Sequence, residues 1–206
     1  MEATPFVASD SAVIEVFVPE GDFAQVKIDH VLHAYRDFLK MVLMEQEEKV
    51  FGPSSSQPCE NNANCFPEYA NERRAVTLYT AGGGLCTGAL INNVPADARL
   101  YLTASHCLQD NVNSNSGFIS PGKLNFATFY FNAETFSCGT NNGPSSFNIQ
   151  QLSGSVLLDN SPFNQGVDFA ILRLNSVPPA SFNPYYLGWD ASSFASGSTV
   201  GIHHPG

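Results

Sequence analysis

The feature that most constrains the fold is a series of short apolar runs between residues 75 and 174, separated by turns rich in Gly, Asn, Ser and Pro. Runs of this kind, bounded by turn-forming residues, predict β-strands. The predicted strands are Ala75–Thr80, Leu85–Ile91, Arg99–Thr103, Lys123–Asn132, Phe147–Leu158 and Phe169–Leu174. Short strands at such spacing predict an all-β sandwich or a closed barrel.

The first fifty residues follow a different pattern. Strands are predicted at Val13–Val18 and at Gln25–Asp29, where polar and apolar residues alternate. From residue 30 the period becomes helical, and one helical face carries Val31, Tyr35, Phe38 and Val42. Residues 51–58 have the composition of a linker. We therefore expect one module at residues 1–52, a linker at 53–58 and the main β domain at 59–206.

The charge composition argues against nucleic-acid binding. Nine Lys and Arg residues stand against nineteen Asp and Glu residues, which gives a net charge of -10. Binding to nucleic acid requires a basic face that neutralises phosphates, and so acidic a chain is not expected to form one. No apolar run approaches the roughly 20 residues of a membrane span, and the first ten residues do not have the pattern of a secretory signal.

Five cysteines, at positions 59, 65, 86, 107 and 138, predict a disulfide framework. Their spacing contains no C-x-x-C pair and fits no zinc-binding template. A bridge between Cys86 and Cys107 would tie two neighbouring predicted strands and close a loop of about twenty residues, worth about 3 kcal/mol. Because five is an odd number, either one thiol is free or its partner lies outside these residues.

The strongest candidates for chemistry are His106 and Asp168. His106 follows the apolar strand Arg99–Thr103 and directly precedes Cys107, so a disulfide there would hold its loop. Asp168 opens the strongly apolar strand Phe169–Leu174. A carboxylate in such a place is costly to bury unless it accepts strong hydrogen bonds, and the ring N–H of a catalytic histidine would supply one.

Three other acids compete with Asp168 for this role. Asp110 is only four residues from His106 and is expected to lie in the same loop. Asp159 belongs to a turn-like run, and Asp190 is not followed by an apolar strand. Each of them therefore fits the pattern less well than Asp168.

The remaining histidines do not predict a metal site. His30 and His33 are three residues apart, but no third ligand is recognisable near them. We interpret them as structural or surface residues, and we interpret His203 and His204 as structural. The sequence predicts no metal and no cofactor.

Several motifs resemble those of chymotrypsin-like serine proteases. The run L-T-A-S-H-C at 102–107 resembles the family's His motif, and D-F-A-I-L-R-L at 168–174 resembles its Asp motif. The lysyl endopeptidase branch, which comprises bacterial secreted proteases, is the closer match. That branch shows C-x5-C, C-T-G-x-L-x-N-N, G-W-D and I-H-H-P runs, found here at 59–65, 86–93, 188–190 and 202–205. The resemblance covers about residues 57–206.

The resemblance implies both a fold and a function. The fold would be an all-β, chymotrypsin-like (trypsin-like) antiparallel β-barrel, the first of two barrels, with the second missing. The function would be serine-type peptide-bond hydrolysis, with His106 as general base and Asp168 as its orienter. Residues 1–52 would be the end of a β-rich pro-region. The substrates would be proteins or peptides, and the full-length enzyme would be a secreted monomer that requires no cofactor.

The resemblance also implies a pattern of disulfides. It pairs Cys86 with Cys107 and Cys65 with Cys138. In the same pattern the first early cysteine, here Cys59, pairs with one far downstream, which accounts for the odd count.

One expected element is missing from the sequence. The nucleophile motif G-x-S-G occurs nowhere in the chain: Ser116-Gly117, Ser153-Gly154 and Ser196-Gly197 lack the preceding glycine. Because the family order is His, Asp and then Ser, we expect the chain to be a fragment of a longer precursor, with the serine beyond Gly206. On its own it is expected to be inactive. The alternatives are a pseudo-protease that serves as a binding module, or a secreted β-sandwich adhesin.

Overall fold

The structure, a computed structural model, describes residues 11–28, 31, 60–82, 84–95, 97–110, 117–134, 137–138, 150–192 and 197–204. These residues form seven strands: β1 (Val76–Ala81), β2 (Gly84–Leu90), β3 (Leu100–Thr103), β4 (Thr128–Tyr130), β5 (Gln151–Ser153), β6 (Ser155–Ser161) and β7 (Phe169–Leu174). Short α-helices at Ala70–Arg73 and Pro121–Asn125 precede β1 and β4. The 3-10 turns are Ala63–Cys65, Pro67–Tyr69, Ser105–Cys107, Phe163–Gln165 and Ala180–Phe182. No helix in this part of the chain is long and apolar enough to cross a membrane.

The seven strands form one antiparallel sheet in the order β5-β4-β1-β2-β3-β7-β6. The strands at the two ends of this order, β5 and β6, are separated in sequence by Gly154 alone, so the sheet curls back on itself. Gly154 has a φ of +78°, and a Cβ at this position would lie 2.3 Å from the Asn175 amide nitrogen. The predicted antiparallel barrel is confirmed. The predicted strand Phe147–Leu158 is divided at this corner, and its residues 147–149 lie outside the described residues.

Three aromatic rings fill the centre of the barrel. Tyr79, Tyr101 and Phe129 are fully buried, with ring centroids 4.8 to 5.8 Å apart. Burial raises the pKa of both tyrosines above the ordinary range of a phenol. Each hydroxyl has a buried partner, because Tyr79 contacts the Thr103 hydroxyl at 2.9 Å and Tyr101 contacts the Thr77 hydroxyl at 2.7 Å. These two hydrogen bonds join β1 to β3 across β2, which lies between them in the sheet, so the tyrosine hydroxyls are paired inside the core.

The predicted strand Lys123–Asn132 is wrong over its first part. Pro121–Asn125 is a helix, because the Ser120 side chain accepts from the Lys123 backbone N–H and proline occupies the first turn. The strand itself covers only Thr128–Tyr130. Ser120 and Pro121 precede residue 123, where the predicted strand began, so the signal for the helix lay outside the run that predicted a strand.

The N-terminal strands predicted from the sequence are also not formed. Val13–Val18 and residues 25–28 have no regular structure, and Val13 and Phe17 are more than nine-tenths exposed. A strand-like pattern needs a neighbouring strand to accept its backbone hydrogen bonds, and none is found in this segment. A turn does occur after the first run, where the Asp22 N–H donates to the Pro19 carbonyl. Residue 29, most of the predicted helix and the linker lie outside the described residues.

Candidate active site

Antiparallel pairing of β3 with β7 brings the two candidate residues together. Thr103, the last residue of β3, pairs with Ala170 near the start of β7. His106 follows β3 in the 3-10 turn Ser105–Cys107, and Asp168 directly precedes β7. Residues 62 positions apart in the sequence therefore lie side by side at one end of the barrel.

Asp168 holds His106 through both of its carboxylate oxygens. Oδ2 lies 2.6 Å from the His106 Nδ1, and Oδ1 accepts the His106 backbone N–H at 2.9 Å. The first distance is that of a charge-assisted hydrogen bond. Two contacts from one carboxylate fix the imidazole ring and the turn that carries it.

The backbone at Asp168 is strained. Its φ is +49°, in the left-handed region that non-glycine residues seldom occupy. Aspartate tolerates this region better than most residues, and the two hydrogen bonds to His106 offset the cost. Strain of this kind concentrates at sites where the exact direction of a side chain matters.

The disulfide Cys86–Cys107 supports the turn from the opposite direction. It joins β2 to the residue after His106, with a Cα–Cα separation of 6.2 Å. His106 Nε2 lies 3.6 Å from the Cys107 sulfur, and the edge of the Phe163 ring packs against the imidazole at a centroid distance of 5.7 Å. The turn is thus held covalently by one strand and through Asp168 by another.

This arrangement leaves the second ring nitrogen of His106 outside the bond to Asp168. With the proton on Nδ1 directed at Asp168, the Nε2 of His106 carries a lone pair. The His106 side chain is 46% exposed and that of Asp168 is 23% exposed, so the imidazole is open to solvent while the carboxylate is partly shielded. Chemically, the pair can accept a proton at Nε2 and stabilise the resulting imidazolium.

One cluster at this corner, among the residues that the structure describes, has the composition of a metal site but not its chemistry. Cys86, His106 and Cys107 bring potential ligand atoms within 4.8 Å of one another. Both sulfurs are bonded to each other, however, so neither is a thiolate that could bind a metal.

Comparison with known proteins assigns the family. A family model described as lysyl endopeptidase, C-terminal domain, matches residues 53–206, which is more than half of the chain. The chain belongs to the lysyl endopeptidase family. The family assignment made from the motifs is therefore confirmed.

Two crystal structures of the Rv3671c protease, both in an inactive form, are similar to this chain. The first, a serine-to-alanine mutant from M. tuberculosis H37Rv, is 15% identical, with 68% of this chain and 48% of that chain covered and a TM-score of 0.37. The second is 16% identical, with 69% and 52% covered and a TM-score of 0.36. This member of the lysyl endopeptidase family spans about half the length of these structures.

In this member of the lysyl endopeptidase family the second disulfide joins the 3-10 turn Ala63–Cys65 to residue 138. Cys65 and Cys138 are joined, with a Cα–Cα separation of 4.6 Å. This is the pair that the resemblance implies. Cys59 lies outside the described residues.

The competing acids have other partners. Asp110 lies 3.5 Å from the Lys123 ammonium. The Asp159 carboxylate accepts the N–H of the next residue, in β6. Asp190 accepts both the backbone N–H and the hydroxyl of Ser192, and these bonds lower its pKa.

The two neighbouring histidines near the end of the described chain have different surroundings. His203 lies 3.7 Å from the Glu60 carboxylate and is largely exposed. His204 is largely buried, its Nε2 lies 2.7 Å from the Ala133 carbonyl, and its Nδ1 has no partner among the described residues. His30 and His33 lie outside the described residues.

Two residues near His106 were not predicted from the sequence. Phe163 contacts the imidazole, and Asn160 contacts the Ser105 side chain beside it. Both belong to the run D-N-S-P-F-N at 159–164, which has the composition of a turn. β6 nevertheless continues to Ser161, three residues beyond the predicted strand end. The sequence offered one signal for this contact, the aromatic Phe163 five residues before Asp168.

Proposed function

We propose that this chain carries the general base and the orienting acid of a serine-type endopeptidase. The observation that carries the proposal is the double hydrogen bond from Asp168 to the Nδ1 and the backbone N–H of His106. Membership of a protease family supports the same reading. The substrates of the complete enzyme would be proteins or peptides, handled outside the cell.

The reaction follows from the direction of this pair. His106 Nε2 accepts the hydroxyl proton of a nucleophilic serine as its oxygen attacks the peptide carbonyl carbon. Asp168 keeps the ring proton on Nδ1 and stabilises the imidazolium. The same Nε2 proton then passes to the leaving amine, and a water molecule repeats the cycle on the acyl-enzyme.

We propose that the serine is encoded beyond residue 206, with residues 1–52 as the end of a pro-region and 53–58 as a linker. No G-x-S-G run occurs in the chain, and Ser105, the serine beside His106, is fully buried. The second candidate is a pseudo-protease that binds partners through the same fold, and only the sequence beyond residue 206 distinguishes the two. A preference for lysine would require an acidic specificity pocket. The support for such a preference in this chain is the name of the family.

The test compares residues 1–206 with a form extended beyond Gly206, both expressed in an oxidising compartment. Each is incubated with a peptide-amide substrate and with a phosphonylating probe that labels activated serines. The proposal expects turnover and labelling from the extended form alone, both lost on His106→Ala. Asp168→Asn should strongly reduce both, and Asp159→Asn is its matched control, because Asp159 is exposed and its carboxylate accepts the N–H of Asn160.

Two outcomes would overturn the proposal. Labelling of a serine within residues 1–206 would mean that the nucleophile is assigned to the wrong part of the protein. An extended form that folds but neither turns over substrate nor takes the label would favour the pseudo-protease.

A further inference from the structure

The turn that carries His106 has a second polar support, from β6. The Asn160 side-chain amide nitrogen lies 3.1 Å from the Ser105 hydroxyl oxygen and 3.1 Å from the Gly117 carbonyl oxygen. Ser105 is fully buried and directly precedes His106. One amide group therefore connects β6, the turn and the loop at residue 117.

The identity of the Asn160 donor is set by its partners. The Gly117 carbonyl can only accept, so the group facing it must be the NH₂ and not the amide oxygen. The same NH₂ supplies its second hydrogen to the Ser105 oxygen. Because both hydrogens are used in fixed directions, the group acts as a two-point clamp.

A β-bulge directs Asn160 inward. In β6 the pairing with β7 shifts between Leu157 and Asp159, so Leu158 is an extra residue in the ladder. Leu158 and Asp159 are both exposed, and the next residue, Asn160, is again partly buried. If Leu158 were paired regularly and the bulge were absent, strict alternation from Leu157 would turn Asn160 outward, and bulges commonly re-aim a side chain in this way.

The clamp acts on the position of His106 relative to Asp168. Asn160 pairs with Ala170, two residues after Asp168, so it is anchored to the same strand pair as the carboxylate. Its bond to Ser105 sets how far the turn stands from that strand pair. The Asp168 bonds alone would let the turn and the carboxylate shift together.

We infer that Asn160 is a positioning residue, which holds the His106 turn at hydrogen-bonding distance from Asp168 through Ser105. This inference rests on the proposed function, because the geometry it maintains is that of the general base. Asn160 itself touches neither the imidazole nor a reacting atom in this arrangement.

The experiment measures the His106 Nδ1–H bond directly in the chain of residues 1–206. The ¹⁵N-labelled protein is examined by NMR for the far-downfield proton of a histidine bonded to a carboxylate, which is assigned by its loss in His106→Gln. We expect Asn160→Ala to speed exchange of this proton with water about tenfold, equivalent to about 1.4 kcal/mol and similar to one net hydrogen bond. Ser105→Ala should cause a similar change, and the double variant should not add to it.

Asn132→Ala is the matched control. Its side-chain nitrogen also donates to a backbone carbonyl, that of Phe182 at 2.9 Å, and it is also partly buried. Asn132 has a φ of +52°, so alanine there should cost at least as much stability. The inference expects this variant to leave the His106 proton unchanged.

Each result decides a separate question. Wild-type exchange rates in both Asn160→Ala and Ser105→Ala would overturn the positioning role. If Asn160→Ala does not fold, Ser105→Ala alone decides, because it removes a single hydroxyl. A wild-type protein that is folded but lacks the downfield proton would overturn the His106–Asp168 pairing itself, and with it the proposed function.

Discussion

Neighbouring residues of β2 anchor two histidine-bearing segments in contrasting ways. Cys86 holds the His106 turn through a disulfide, whereas Thr87 accepts the His204 backbone N–H at 2.9 Å. Successive side chains of a strand point to opposite faces, so the two segments lie on different sides of the same strand. Because both segments carry the same side chain, differences between His106 and His204 reflect their surroundings.

The two imidazoles differ in which nitrogen is bonded and to what. His106 directs Nδ1 at the Asp168 carboxylate, and its side chain is partly open to solvent. In a protonated ring, one N–H group would therefore face the carboxylate and the other could reach water. His204 directs Nε2 at the Ala133 carbonyl and keeps Nδ1 buried without a partner. Burial accordingly lowers the pKa of His204, and neighbouring His203 adds to this effect. The first ring thus faces a carboxylate, whereas burial disfavours the protonated form of the second.

The largest expected effect concerns the carboxylate that distinguishes the first histidine. In the extended form, Asp168→Asn should lower kcat by about 10⁴-fold, because an amide favours the wrong tautomer of His106. Steady-state kinetics on a peptide amide measures the change. A loss below about tenfold would show that the carboxylate does not set the tautomer.

Removing the Cys86–Cys107 disulfide tests the covalent anchor. The two cysteines are 21 positions apart, so replacing both with serine should lower the free energy of unfolding by about 3 kcal/mol. Urea denaturation measures this free energy, and a Cys59→Ser background prevents exchange of disulfides. The Nδ1–H proton of His106 should also exchange faster.

The disulfide Cys65–Cys138 is the control for that experiment. It spans 73 residues, so its removal should cost about 4 kcal/mol in the same chain-entropy estimate. The His106 proton should be unaffected, since neither cysteine belongs to the turn or is bonded to it. Equal effects of both pairs on this proton would refute a local role for Cys86.

Acidification tests the second histidine. The folded protein holds the pKa of His204 below the ordinary 6.5, so the unfolded chain binds the proton first as the pH falls. The free energy of unfolding that the neutral His204 ring contributes is fully present above about pH 6.5. It is lost as the pH falls from there towards the lowered pKa of His204 in the folded protein. His204 can change the free energy of unfolding by at most about 1.4 kcal/mol per pH unit, which is the value for the uptake of one proton.

Paired variants isolate this contribution. His204→Gln keeps a donor for the Ala133 carbonyl but does not titrate, so the pH dependence of unfolding between 4 and 7 should become shallower. His203→Gln changes an exposed ring and should alter the curve less. A curve that His204→Gln leaves unchanged would contradict the proposed burial of a neutral imidazole.

The smallest expected effect concerns the anchor of the second segment. Thr87→Val removes the hydroxyl that accepts the His204 N–H and should cost about 1 kcal/mol of unfolding free energy. The backbone carbonyl of Thr87, which accepts from the Thr103 hydroxyl, is retained. The His106 proton should be unchanged, because the variant acts on the other side of β2.

The sequence by itself determined the antiparallel all-β class, because alternating apolar runs and turn residues are local properties of the chain. It also pointed to His106 and Asp168, since each directly follows or precedes a strongly apolar strand and each lies in a run that resembles a family motif. Family membership followed from the same runs. Local capping misled the prediction at Pro121–Asn125, where residues before the apolar run start a helix.

Only the tertiary structure decided which side chains support the pair and which histidine is buried. Asn160 faces Ser105 because one extra residue in β6 shifts its pairing with β7, and pairing between distant strands leaves no local mark in the sequence. Gly154 forms a corner because β5 and β6 pair with different neighbours. The N-terminal run Val13–Val18 has the pattern of a strand, but no strand pairs with it among the residues that the structure describes. Strand formation and side-chain support both depend on contacts between residues far apart in the chain, and the free energy of such a contact exists only once both partners are folded together.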